Sequence, residues 1–69
     1  MRDDTIHTFP GGYRGYIRHT MRSGWIARLM TGGFYDGREV ARRMDFATHD
    51  EALAWLRLRV EIERQEAGQ

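Results

Sequence analysis

The apolar positions of this chain follow two periods, a two-residue one in the first half and a helical one at the end. From Tyr13 to Met21, and again from Trp25 to Met30, the alternation is that of strands with one buried face. Arg22-Ser23-Gly24 fits a three-residue hairpin loop with glycine in the left-handed position. That register sets Met21 opposite Trp25, His19 opposite Ala27 and Ile17 opposite Leu29. One face then carries Tyr13, Ile17, Trp25, Ala27 and Leu29. The other carries Arg14, Tyr16, Arg18, Thr20, Ile26, Arg28 and Met30.

Asp36-Gly37 is a tight-turn dipeptide. A two-residue turn there pairs Tyr35 with Arg38 and, if unbroken, Leu29 with Met44. The third strand runs from Arg38 to about Phe46. It adds Val40, Met44 and Phe46 to the apolar face, and Glu39, Ala41, Arg43 and Asp45 to the outer one. Arg42 falls on the apolar side, which puts it at a sheet margin. Gly32-Gly33 marks a bulge or bend in the ladder. Residues 1–12 are polar, end in Pro10-Gly11-Gly12 and read as a flexible N-terminal tail.

Thr48 followed by Glu51 is a capping-box signature, and Asp50 and Glu51 suit a helix N-terminus. The helix is expected from about His49 to Arg64, with 65–69 frayed. The fold class is therefore α+β: a three-stranded antiparallel sheet with one C-terminal helix on one face (β-β-β-α), formed by residues 13–64. At helical spacing Ala52, Leu53, Leu56 and Val60 form the stripe that covers Ile17, Trp25, Leu29 and Met44. Trp55, Leu58 and Ile62 form a second stripe. Either it meets a symmetry mate and marks a homodimer interface, or the helix is rotated and Trp55 belongs to the domain's own core.

A single domain of 69 residues has a thin core and commonly gains stability from disulfides, metal or association. Cysteine is absent, and His7, His19 and His49 have no ligand spacing, so neither metal nor cofactor is expected. Association remains, in keeping with a homodimer. No apolar run approaches the roughly 20 residues of a membrane span. Met1-Arg2-Asp3-Asp4 lacks the start of a signal peptide, and the expectation is a cytoplasmic protein with no membrane partner.

Net charge is only +1, so distribution has to carry any electrostatic argument. All eleven basic residues are arginine, and seven lie between Gly12 and Phe46. A GC-rich coding sequence would produce the same bias. Guanidinium nevertheless stacks on rings and grips phosphate or carboxylate with two bonds, which ammonium does not. The sequence holds no Ser/His/Asp arrangement, no cysteine nucleophile and no phosphate-cradling glycine loop, so no catalytic residue and no enzyme is expected. The side chains of His49-Asp50-Glu51 point apart on a helix and serve as cap and dipole partners.

The outer face is the candidate site. Arg14, Tyr16, Arg18, Arg28, Met30 and Arg43 mix residues enriched at contact surfaces. The expected partner is nucleic acid or a nucleoprotein complex. The alternative is a small phage or mobile-element accessory protein that binds and inhibits a host protein complex, of the anti-CRISPR or other anti-defence type.

Tyr13-Arg14-Gly15, Gly24-Trp25-Ile26-Ala27-Arg28 and Phe46-Ala47-Thr48-His49-Asp50-Glu51-Ala52 together resemble plant ethylene-response-factor-type DNA-binding domains and their phage-integrase relatives. The resemblance spans about Tyr13 to Val60. It implies a three-stranded sheet that contacts the DNA major groove, with Arg14, Arg18, Arg28 and Arg43 as contacts. The segment from Thr31 to Gly37 departs from the family, and Met44-Asp45 replaces its usual Leu-Gly. The alternation also turns Trp25 toward the helix.

Overall fold

Four strands precede one helix in the computed structural model, which describes residues 5–32 and 37–68. They are β1 (Thr5–Phe9), β2 (Tyr13–Thr20), β3 (Gly24–Thr31), β4 (Arg38–Phe46) and α1 (His49–Ala67). The sheet runs β1-β2-β3-β4 with antiparallel neighbours throughout. The class is α+β with a C-terminal helix, but the sheet has four strands where three were expected. The added strand is β1, inside the stretch that reads as a tail. Thr, Ile and Phe suit a pleated surface, and Gly11 and Gly12, with φ of 88° and 83°, let the chain turn back so that Phe9 pairs with Tyr13.

The β2–β3 hairpin differs from its expected register by two residues. Thr20 pairs with Gly24, and Ile17 with Ala27. The loop is Met21-Arg22-Ser23, followed by Gly24 at φ 63°. A two-residue slip preserves which side chains share a face, so every face assignment on these strands stands. The Asp36–Gly37 turn itself lies outside the described residues, apart from Gly37. Its consequence is corrected: Arg38 pairs with Thr31, and Leu29 with Ala41 in place of Met44.

This three-residue difference is odd and exchanges the faces of Ala41 to Met44, whereas at Arg38 and Glu39 the difference is four and Glu39 stays outside as expected. Ala41 turns to the helix side. Arg42 pairs with Arg28 on the outside, and Arg43 pairs with Ala27 on the helix side. Two irregularities then redirect the strand. Between Leu29 and Met30 the register advances by two residues of β4, which makes Val40 the extra residue. Between Trp25 and Ala27 it advances by three, and Asp45 takes up the difference at φ 70° while its N–H donates to Ser23 O at 2.8 Å. Phe46 thereby returns to the helix side.

The core lies between sheet and helix. Ile17, Ala27 and Leu29 from the sheet meet Ala52, Leu56 and Val60 from α1, all buried. Leu53 and Trp25 are half-buried against them, and Met44 is not among them. Thr48 caps α1 by accepting the Glu51 N–H at 3.2 Å, and Glu51 Oε2 accepts the Ala47 N–H at 2.9 Å. The helix continues beyond Arg64 to Ala67, and the Gly68 N–H donates to Arg64 O at 2.9 Å. The helix thus extends past its expected end at about Arg64.

Candidate functional site

Antiparallel pairing sets directly opposed residues side by side on one face. On the face away from α1 it builds two rows across all four strands. One is Thr8, Arg14, Met30 and Glu39; the next is Ile6, Tyr16, Arg28 and Arg42. Arg18 and Ile26 pair in a further row, and Met44 lies near them around the same hollow. Four arginines from three strands therefore share this face with Tyr16.

The expected residues Arg14, Tyr16, Arg18, Arg28 and Met30 all share this surface. Arg43 does not. Its guanidinium carbon lies 5.3 Å from the Phe46 ring centroid on the helix side of the sheet, because the odd register places it opposite Ala27. Arg42 takes the outer position in its stead. The signal for that exchange was available only in part: Arg42 and Arg43 are adjacent, so one of them had to face out, but the turn register that chooses between them depends on the 32–37 connection.

Glu39, on the edge strand β4, ties two of these arginines together. Its Oε1 accepts from Arg28 Nε at 2.8 Å and from Arg42 Nε at 2.9 Å. These two bonds hold its carboxyl below the ordinary carboxylate range. Exposed ion pairs of this sort contribute only about 0–1 kcal/mol to stability. Their effect here is positional, since one carboxylate fixes two guanidinium groups side by side. Arg14 Nη2 donates to Gly32 O at 3.1 Å and is held toward the end of β3. Among the described residues, Glu39 is the sole acid at the outward positions of these rows.

Between these side chains the surface is hollow. An open depression of about 500 Å³ is lined by Tyr16, Arg18, Ile26, Arg28, Arg42 and Met44, with Ile6 at the β1 side. Ile6 is 66% exposed and Met44 42% exposed. Guanidinium groups thus surround a partly apolar floor.

The second stripe of α1 divides. Trp55 packs on its own core, with its ring centroid 5.9 Å from that of Phe46. Leu58 is 60% exposed and Ile62 half-buried. The three do not form one exposed apolar patch, because the helix is rotated to place Trp55 against the end of β4.

Sequence spacing gave the histidines no common role, yet two of them meet. Thr5 Oγ1 lies 3.1 Å from His7 Nε2 and 3.0 Å from His49 Nε2, so one hydroxyl joins strand β1 to the start of α1. Trp25 stands edge-on to His49 at 5.4 Å and tilted to His19 at 4.9 Å. Burial, then His49, then Arg57 push the His7 pKa down from its ordinary value. Among the described residues no group of three or more His, Asp or Glu could hold a metal ion. No helix is long and apolar enough to cross a membrane among those residues.

Comparison with protein-family models, curated proteins and solved structures finds no match. The resemblance to ethylene-response-factor domains therefore rests on the residues quoted for it. Of the contacts it implies, Arg14, Arg18 and Arg28 share the outer face, whereas Arg43 is on the other.

Proposed function

We propose that the protein is a non-catalytic binding module whose outer sheet face contacts nucleic acid, alone or within a nucleoprotein complex. One observation carries this reading: Arg14, Arg18, Arg28 and Arg42 share the outer face with Tyr16, and among the described residues Glu39 is the one acid in the two rows that cross all four strands. Forked donors at several points over a polar surface suit a chain of phosphates. The Glu39 bonds hold two of those forks side by side in advance of binding, which reduces the ordering cost of association.

Fluorescence anisotropy over a salt series tests the reading. Binding weakens as salt rises, because each phosphate contact releases counterions. Arg28→Gln and Arg42→Gln each reduce the slope of log K against log salt by roughly 0.7–0.9. Glu39→Gln keeps an oxygen that can accept from Arg28 and Arg42 while removing the negative charge beside them, and tightens binding severalfold. Absence of salt-sensitive binding at micromolar protein sinks the proposal. Nuclease-resistant capture of a host protein through the same arginines would shift the face to inhibition of a host complex.

A further inference from the structure

Resting on the nucleic-acid reading, we infer that the ligand is a single strand, with an unstacked base seated in the outer-face depression and its flanking phosphates held on the arginine rim. The shape of the face separates this from duplex binding. In a duplex the base edges lie recessed within grooves, and a protein that reads them inserts a helix or ribbon into a major groove about 12 Å wide. Here the middle of the arginine face is a hollow of about 500 Å³. A hollow cannot enter a groove. It can receive something that projects, and a single strand projects its bases freely.

The lining suits a base. Pockets for small ligands span roughly 300–1,000 Å³ and combine apolar walls with a few placed polar groups. Tyr16 and Ile26 supply aromatic and aliphatic surface, Met44 an adaptable edge, and Arg18, Arg28 and Arg42 the donors. Every base has a face that stacks on an aromatic ring or a guanidinium plane, and contact of that kind is tolerant of sequence. The site therefore tolerates sequence and selects strandedness. Tyr16 belongs to the same row as Arg28 and Arg42, so base and backbone contacts come from one line across the sheet.

The test compares a labelled unstructured pyrimidine 12-mer with the blunt duplex of the same sequence, each titrated at about 50 mM and about 200 mM salt, the range over which phosphate contacts declare themselves. The single strand is expected to bind at least tenfold more tightly. Tyr16→Leu is expected to weaken single-strand binding roughly tenfold, the loss of one stacked base, with an unchanged salt slope. Tyr16→Phe retains the ring and the affinity. Met44→Glu, at a position 42% exposed, weakens the single strand as well and covers the case in which Tyr16→Leu unfolds. Equal or tighter duplex binding, or full affinity in Met44→Glu and Tyr16→Leu, overturns the single-strand inference while leaving nucleic-acid binding in place. Failure of both oligonucleotides to bind overturns both.

Discussion

Leu56 reaches the sheet because residue 15 has no side chain. A Cβ on Gly15 would stand 2.7 Å from Leu56 Cδ1 and 2.9 Å from Phe9 Cε2. Leu56 is fully buried and has nowhere to swing. Gly15→Ala is therefore expected to lower stability by about 1–3 kcal/mol, the usual effect of overpacking. A reduced urea midpoint at unchanged m-value is the readout; an unshifted midpoint would mean that helix and sheet can separate freely. His7 makes a different demand. Its folded-state pKa lies below the ordinary 6.5, so as pH falls the unfolded chain takes up this proton first. The contribution is complete above about pH 6.5 and is lost as pH falls from there through the folded-state value. Glu39 is also depressed, but from 4.5, so its contribution goes only in a more acidic window. Melting temperature is thus expected to drop between about pH 7 and pH 5, and to drop less in His7→Gln. Parallel pH profiles for the two proteins would remove His7 as the cause.

At the scale of elements, α1 is held at its start by local chemistry. Thr48→Ala removes the acceptor of the Glu51 N–H and is expected to cost about 1 kcal/mol in a denaturation curve. No measurable loss would show that solvent satisfies the first turn equally well. The start of α1 was legible in the sequence for the same reason: Thr48 and Glu51 signal each other over three residues. The faces of β2 and β3 were legible despite a wrong hairpin register, because a slip of two leaves side-chain parity alone. β4 was not, because its slip was odd and because Val40 and Asp45 break the count again. No local pattern marks such breaks; they follow from seating Ala41 beside Leu29 and returning Phe46 to Trp55. β1 escaped notice since its most apolar residue, Ile6, faces outward, and its inward Phe9 adjoins Pro10-Gly11-Gly12. The usable sign was the run Thr5-Ile6-His7-Thr8-Phe9, rich in β-formers, just ahead of a glycine pair. The candidate site shared both fates: five expected residues lie on the outer face, and Arg43 gave way to Arg42.

In the whole molecule, the sheet separates two tasks. One face and α1 hold the six buried apolar side chains of the described residues and therefore nearly all of the packing; the other holds the arginine rows, whose exposed ion pairs contribute little. At about 0.05–0.15 kcal/mol per residue, a chain this short has roughly 3–10 kcal/mol in total. Leu56→Ala removes about 2–5 kcal/mol of it by opening a cavity, a large share for one side chain. Arg28→Gln lies across the sheet with no shared partner, so its effect on stability should be under about 0.5 kcal/mol. The double variant should match the sum of the single effects within about 0.3–0.5 kcal/mol. Binding should divide the same way: measured in the cold, where Leu56→Ala is still folded, that variant keeps the affinity of the parent, while Arg28→Gln melts like the parent and binds more weakly. A departure from additivity would have a visible route, because Gly15, whose empty side admits Leu56, adjoins Tyr16 in β2. Moving one would then tilt the other, and the arginine face would depend on the core beneath it.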